Sequence, residues 1–210
     1  MLGGRTTARE RVIDAAVELF AEHGVQGTSL RMIADRLGVA KGAVYYQFRS
    51  KDDIVLALLT PLFDAIARVV EDGEAQSSPQ RRRDTAIRGL VGVAVDQRRA
   101  CCLFRGDPAV DQLVSRHGEL VALAERMRSL LSGTDPTHSE RVALSVACAG
   151  LYFCTTDPGL QDIPAADLRV ILLRGFRACV SEPEPAPVAS PPTPDATQPG
   201  AVLRDSVPCR

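Results

Sequence analysis

The chain has 210 residues, of which 24% are charged and 45% are hydrophobic, and its formal net charge is −1. This composition is typical of a folded, water-soluble protein with enough apolar material for one large core or two small ones. No run of about 18 apolar residues and no apolar leader occurs, so we expect a cytoplasmic protein without membrane contact.

Helical patterns follow one another along almost the whole chain, and no alternating strand pattern occurs. The first helix is predicted to begin at a capping box of Thr7 and Glu10, in which each side chain satisfies a free backbone amide of the other residue. It is predicted to end at Gly24. A second, short helix is predicted to begin with Thr28 as its cap and to end at Gly38.

Residues 41–48 are predicted to form a third short helix, and a second capping box of Ser50 and Asp53 then opens a longer one. Pro61 lies inside this longer helix, where its missing N–H group predicts a kink. The remaining helices are predicted in chain order at residues 80–99, 109–115, 119–131, 137–155 and 164–180. The predicted fold class is therefore all-α, with about nine helices arranged as a three-helix N-terminal head and a helical body.

The composition changes at residue 181, after which prolines recur at short spacing and few residues could be buried. Such a composition is typical of a disordered segment. The predicted organisation is therefore a head of residues 1–52, a body of residues 53–180 and a proline-rich disordered tail of residues 181–210.

Positive charge is concentrated in one segment of the head. Residues 28–51 hold five basic side chains and one acidic one, and they include both lysines of a chain whose net charge is −1. A short helix, a tight turn with glycine and a second short helix form the pattern of a helix-turn-helix, whose second helix lies in the DNA major groove. The segment therefore predicts binding to double-stranded DNA.

The second helix of this motif has a predicted outward face that does not resemble a core. Its residues Lys41, Gly42, Ala43, Tyr45 and Tyr46 are small, aromatic or charged. A glycine at position 42 costs about 1 kcal/mol of helix stability relative to alanine, which makes sense if another molecule approaches the backbone closely. Lysine is a good point charge for phosphate, and the tyrosine hydroxyl commonly donates to phosphate oxygens.

Residues 27–34 (GTSLRMIA) and residues 37–51 (LGVAKGAVYYQFRSK) together resemble the signature of the tetracycline-repressor (TetR) family. The spacing, the turn glycine and the closing Ser-Lys agree, whereas Gln47 stands where the family often has histidine. The resemblance implies a DNA-binding transcriptional regulator, and in particular a repressor that a small-molecule effector releases from its operator. A transcriptional activator is the alternative.

The resemblance also implies roles for individual residues. Thr28, at the start of the second helix, would bind a phosphate, as would Tyr46 and Lys51, and the first residues of the third helix would face base edges. The DNA-binding residues predicted on this basis are Thr28, Ser29, Arg31, Ala40, Lys41, Gly42, Ala43, Tyr45, Tyr46 and Lys51. Arg36, by contrast, is expected in solvent or in a surface salt bridge.

TetR-like proteins form homodimers through their last two long helices, which the resemblance places at residues 139–155 and 165–180. The first helix carries small residues that permit close approach, and the second carries larger apolar ones. These residues are Ala143, Ala147, Ala149 and Gly150 in the first helix, and Leu168, Ile171, Leu172 and Phe176 in the second. Packing within one chain is the alternative explanation for them. The body is thus predicted to be an effector-binding and dimerisation domain.

The effector is expected between the long helices of the body. Phe104, Met127, Tyr152 and Phe153 are the candidate ligand-binding residues, because such sensors use apolar walls with a few polar groups. Ordinary core packing is the alternative. Since only 4% of the residues are aromatic, an aliphatic or small ligand is favoured over a large planar one. Effector binding would tilt the helix after Ser50 and change the separation of the two heads.

Six cysteines leave a thiol- or metal-responsive sensor of the same fold as a further alternative. Cys101 and Cys102 are adjacent, and Cys148 and Cys154 do not share a helix face, so neither pair favours a disulfide. No Cys-x-x-Cys pair or metal-ligand spacing occurs, and the three histidines have no recognisable catalytic partner. We therefore expect free thiols, no metal site, no cofactor and no enzyme activity.

Overall fold

Helices account for all the regular secondary structure in residues 7–103 and 107–181, which are the residues that the computed structural model describes. Ten α-helices and one short 3₁₀ helix lie in these two ranges, and the all-α fold class is confirmed. The α-helices are α1 (Ala8–Gly27), α2 (Leu30–Leu37), α3 (Lys41–Gln47), α4 (Lys51–Glu74), α5 (Pro79–Asp96), α6 (Arg98–Leu103), α7 (Pro108–Arg116), α8 (Gly118–Ser132), α9 (His138–Thr156) and α10 (Ala165–Ser181), and the 3₁₀ helix is Pro158–Leu160.

One helix more than expected is present because the segment predicted as a single helix at residues 80–99 divides. Helix α5 ends at Asp96, Gln97 leaves helical geometry with φ −100° and ψ 14°, and α6 begins directly after it. The predicted tail lies outside the described residues, apart from Ser181 at the end of α10. No helix in the described part of the chain is long and apolar enough to cross a membrane.

The predicted capping boxes are present. The Thr7 amide donates to Glu10 Oε2 at 2.7 Å, and the Glu10 amide donates to Thr7 Oγ1 at 3.2 Å. These hydrogen bonds lower the pKa of Glu10. Equivalent reciprocal pairs open α4 and α9, formed by Ser50 with Asp53 and by Thr137 with Glu140. Each satisfies backbone amides that a helix start would otherwise leave without a partner.

Gly24 interrupts α1 near its end. Its φ of +69° is a conformation that side-chain-bearing residues rarely adopt, and the helix resumes after it for one short turn. Thr28, 3% exposed, then directs its hydroxyl back into the head and donates to Leu19 O at 3.1 Å and Gly24 O at 2.9 Å. The prediction that Thr28 caps α2 is therefore wrong. Ser29 is the cap, and its side chain accepts from the Met32 amide at 3.2 Å.

Two separate hydrophobic clusters hold the molecule together, and we call them the head core and the body core. The head core joins α1, α2, α3, the first turns of α4 and, from far along the chain, α7 through Val110 and Leu113. The body core joins the end of α4 with α5, α8, α9 and α10. Helix α4 thus belongs to both clusters, and it runs on through Pro61 as one helix. The predicted kink and domain boundaries stay predictions.

Candidate nucleic-acid interface and body cavity

The turn between α2 and α3 is built on Gly38. Its φ of +66° is left-handed, and its amide donates to backbone carbonyls in the last turn of α2. The Val39 amide also returns to Ala34 O at 3.0 Å, so the carbonyls at the end of α2 are satisfied within the turn. The chain then enters α3 at once, which fixes the two helices as a compact unit. This is the predicted helix-turn-helix geometry.

Helix α3 presents nearly all of its surface to solvent. Val44 is fully buried in the head core, and Phe48, directly after the helix, is 4% exposed. Tyr45 and Tyr46 are 42% and 87% exposed. The remaining exposed positions of this face are Ala40, Lys41, Gly42 and Ala43. One anchored side chain and an open polar and aromatic face suit a helix that enters the major groove.

Packing among the residues that the structure describes does not require a glycine at position 42. A Cβ atom added there would meet no atom within 4 Å, and the residue has ordinary helical geometry. The glycine therefore lowers helix stability without relieving a clash. Lys41 lies close by, with Nζ 5.0 Å from the centre of the Tyr45 ring, so a positive charge and an aromatic ring share the open face.

Thr28 and Lys51, for which the sequence predicted phosphate contacts, both form hydrogen bonds with backbone carbonyls of the head. The buried Thr28 hydroxyl already donates to two carbonyls, so its side chain is not open to a phosphate. The Lys51 ammonium donates to Gln26 O at 3.1 Å and Thr28 O at 3.0 Å. It therefore ties the end of α1 to the start of α4. The exposed Ser29 is the side chain at the start of α2 that faces solvent.

The other basic residues of the head differ in their availability. Arg36 donates to Glu18 at 2.9 Å and to Glu22 at 2.8 Å, which confirms the expected salt bridge and lowers the pKa of Glu22. Arg31 is 79% exposed and lies 3.9 Å from Asp35. Arg49 is exposed and forms no ion pair with the residues that the structure describes. Arg49 is one of the five basic residues of the segment 28–51, but it was not among the predicted DNA-binding residues.

The body core is hollow. A cavity of about 690 Å³ lies between α4, α5, α8 and α9, with α6 and α7 closing one side. Met127 and Tyr152 line it, as predicted, whereas Phe153 is absent from the lining and is 55% exposed. Phe153 is one residue further round α9 than Tyr152, so it faces away from the cavity. Phe104 lies outside the described residues. The other lining residues, which α4 to α9 all contribute, were not predicted as ligand-binding residues.

The family model described as "Bacterial regulatory proteins, tetR family" matches residues 12–58, the segment that forms α1, α2, α3 and the start of α4. The N-terminal head of the chain therefore matches the tetR family. It is 36% identical over 74 residues to the HTH-type transcriptional repressor KstR2 of Rhodococcus jostii, covering 33% of this chain and 36% of that protein. It is 30% identical over 128 residues to the HTH-type transcriptional regulator AcrR of Shigella flexneri, covering 52% and 56%. The matches thus span about a third to about half the length of these curated relatives.

The tetR-family likeness extends over the body at the level of the fold. The crystal structure of PfmR, a TetR family transcriptional regulator from Thermus thermophilus, superposes with a TM-score of 0.57 at 15% identity. The superposition covers 81% of this chain and 97% of PfmR. Sequence similarity is therefore concentrated in the head, and the helical body shares its architecture with tetR-family structures.

The last two helices, α9 and α10, carry an apolar outer face. Val142 and Val146 of α9 are 63% and 57% exposed, and Val170 and Ile171 of α10 are 57% and 55% exposed. The predicted dimer residues divide between the two sides of these helices. Ala149, Gly150 and Ile171 lie outward, Ala143 and Leu172 are half-buried, and Ala147, Leu168 and Phe176 are buried. The buried three stabilise the fold of the single chain, as the alternative explanation held.

The described cysteines are free thiols, of which four are half-buried and Cys179 is exposed. Burial raises the pKa of the Cys101 and Cys148 thiols, which disfavours the reactive thiolate form. The Cys102 thiol donates to Thr155 O at a sulfur–oxygen distance of 3.7 Å. Within the described ranges, no group of three or more His, Cys, Asp or Glu side chains could hold a metal ion. Among the described thiols, Cys101 and Cys148 are therefore poor candidates for the reactive group of a redox sensor.

Proposed function

We propose that the protein is a homodimeric transcriptional repressor that works in the cytoplasm, binds operator DNA through the open face of α3, and leaves it when a small molecule fills the body cavity. The observation that carries the proposal is the exposure of almost the whole of α3 on a head with a well-packed core. A glycine that packing does not require supports close approach to a second molecule. The repressor role is favoured by the likeness to KstR2, which is named as a repressor.

The contacts with DNA follow from which side chains are free. Gly42, Ala43 and Tyr45 would face base edges and the adjoining backbone in the major groove. Phosphates would bind to Lys41, Tyr46 and Arg49, which are all exposed, and to the exposed start of α2 at Ser29. Thr28 and Lys51 would support these contacts indirectly, because they hold the end of α1 in place.

Dimerisation would use the outer face of α9 and α10. Exposed valine and isoleucine side chains at neighbouring turns form an apolar surface, and its removal from water favours association. Small residues between them permit close approach of two helices. A twofold pairing of α9 and α10 would create a four-helix bundle. Two heads on such a dimer would read half-sites about 34–36 Å apart, one turn of DNA.

Effector binding would be coupled to the head through α7. Val110 of α7 packs in the head core and also lines the cavity. Asp107 precedes this helix and accepts two hydrogen bonds, from the Ala109 amide to Oδ1 and from the Val25 amide to Oδ2, each at 2.9 Å. Val25 follows the break at Gly24, so its amide depends on this carboxylate across the body–head contact. A ligand that displaces α7 would release the end of α1 and shift the head.

Operator binding tests the proposal most simply with two substitutions in α3, on an operator recovered by selection from random duplex DNA. Lys41→Ala should weaken operator binding about tenfold and reduce the salt-dependence slope by about one unit. Gly42→Ala should weaken operator binding while raising the stability of the free protein by up to about 1 kcal/mol, because the added methyl group meets nothing in the chain.

The matched control is Arg81→Ala, which removes an exposed charge at the start of α5, far along the chain from the head. It should leave operator affinity unchanged. If both α3 variants bind the operator as tightly as the wild type, the assignment of α3 is wrong. A reporter gene under the selected operator then separates the two regulatory outcomes: expression that rises when the protein is deleted supports a repressor, and expression that falls supports an activator.

A further inference from the structure

Helix α9 lines the cavity along most of its own length, from Arg141 to Thr155. The α9 residues that line it have the spacing i, i+3, i+4, i+7 of one helix face: Arg141, Leu144, Ser145, Cys148, Leu151, Tyr152 and Thr155. This row spans about 21 Å at the rise of an α-helix. A volume of about 690 Å³ distributed along this row corresponds to a small average cross-section. Such a shape suits an extended chain better than a compact or broad planar molecule.

The walls of the cavity are mostly aliphatic. Leucine, valine, isoleucine, alanine and methionine side chains from α4, α5 and α8 face the α9 row, and Phe63 and Tyr152 are the aromatic residues among those described. The Thr155 hydroxyl, at the far end of the row, donates to Leu151 O at 2.9 Å. It is therefore satisfied within the helix. Over most of its length the cavity offers a ligand apolar contact and little opportunity for hydrogen bonds.

Two arginines line the cavity at the opposite end of the α9 row from Thr155, near the connection between α8 and α9. Arg128 is in the last turns of α8 and Arg141 in the first turns of α9, and both line the cavity. Arg128 shares its charge with Glu125, 2.6 Å away, whereas Arg141 forms no ion pair with any described residue. Burial raises the pKa of Cys148 and the charge of Arg128 partly offsets that rise, so positive potential reaches the cavity wall. The exposed Asp111 of α7 is the acidic residue of the lining.

We propose that the effector is a flexible, largely saturated hydrocarbon chain that ends in an anionic group. The chain would lie along α9, and the anion would lie at Arg141 and Arg128. This inference rests on the proposed function, since it names the ligand class of the same cavity. A guanidinium recognises carboxylates and phosphates equally well, so a free long-chain carboxylate and a chain carried on a phosphate-bearing group share the chemistry that this end selects.

The test is calorimetric titration of the full-length protein with matched probes that differ in one end. Dodecanoate should bind on the order of fivefold more tightly than dodecanol, because the arginines are partly exposed to water and a charge contact there is modest. Dodecylammonium should bind more weakly than either. Among carboxylates, affinity should rise about fourfold per methylene from octanoate upward, in line with the burial of apolar chain. Dodecanoyl coenzyme A, compared with dodecanoate, separates the phosphate-bearing source from the free carboxylate.

The arginines are tested with the double variant Arg128→Gln, Arg141→Gln. It should still bind dodecanol, which shows that the cavity is intact, but should lose the preference for dodecanoate over dodecanol. The matched control is Arg68→Gln, Arg81→Gln, two exposed arginines that do not line the cavity, and it should keep the preference.

Four results would overturn the inference: equal binding of dodecanoate and dodecanol by the wild type, tightest binding of dodecylammonium, an unchanged preference in the Arg128, Arg141 variant, or no detectable binding of all the chain probes. Operator binding is measured on the same protein preparation. If the operator is bound and no chain probe affects it, the ligand class fails and the regulator proposal stands, whereas absence of operator binding contradicts the regulator proposal itself.

Discussion

The head and the body are both built from helices around a hydrophobic cluster, but one cluster is filled and the other is hollow. In the head, Ile33, Val44 and Ile54 are fully buried, and capped helix starts and ion pairs to Arg36 brace the surface. In the body, Val70 and Val91 are equally buried, yet this cluster forms much of the lining of a cavity of about 690 Å³, which Val110 of the head core also lines. The difference assigns rigidity to the part that would read DNA and adaptability to the part that would bind a ligand.

The contrast also indicates where the two parts communicate. Helix α4 belongs to both cores, and α7 packs its apolar side into the head while it closes the cavity. A change in the hollow part can therefore reach the filled part without deforming it, because a well-packed core moves as a unit.

The largest expected effect compares one large-to-small substitution in each core. Ile33→Ala should lower the free energy of unfolding by about 3–4 kcal/mol, because the fully buried side chain has neighbours on all sides. Leu90→Ala, at the cavity wall, should cost only about 1–2 kcal/mol, because part of that side chain faces empty space. Chemical denaturation of both variants measures the difference. Equal losses would contradict the distinction between a filled and a hollow core.

A smaller effect is expected where the two parts are joined. Asp107→Asn keeps one acceptor but places an amide N–H₂ group against one of two backbone donors, so it should cost about 2 kcal/mol. Hydrogen exchange at the Val25 amide should speed up, and operator affinity should fall. Asp157→Asn, which alters a similar carboxylate contact at the end of α9, is the control and should leave operator affinity unchanged. An unaltered Val25 exchange rate in Asp107→Asn would show that the link does not restrain the head.

The smallest effect separates support from contact within the head. Lys51→Ala should lower the free energy of unfolding by about 1 kcal/mol, since its ammonium holds two carbonyls at a partly exposed site. The salt-dependence slope of operator binding should stay the same, in contrast to Lys41→Ala. Thermal unfolding and binding at several salt concentrations measure both quantities. A slope reduced by about one unit with unchanged stability would mean instead that Lys51 contacts a phosphate directly.

The features that the sequence predicts correctly are local ones. The capping boxes, the turn at Gly38 and the open face of α3 follow from residue types at fixed spacing, and the structure confirms them. Prediction from the sequence failed where neighbouring residues compete for one role. Thr28 and Ser29 can each cap a helix, and only the position of Leu19 O and Gly24 O, set by the fold of α1, decides that Thr28 turns inward.

The body was harder to predict for a physical reason. Helix α9 is apolar on two faces, so its sequence does not reveal that Tyr152 lines the cavity while Phe153 is exposed. A cavity is a property of how several helices fail to fill space, and no single segment encodes it. The link from Asp107 to Val25 joins residues that are 82 positions apart, and nothing in either segment signals the other.

The claim that α3 reads DNA is tested most directly by selection of bound sequences from random duplex DNA with the wild-type protein. Protection mapping of the most enriched sequence follows. The account predicts an inverted repeat whose half-site centres lie about 34–36 Å apart, as two α3 helices on a twofold dimer require. It also predicts that a variant with Lys41→Ala, Tyr45→Ala and Tyr46→Ala no longer enriches that repeat. Enrichment of the same repeat by that variant, or no enrichment by the wild type, would contradict the claim that α3 reads DNA.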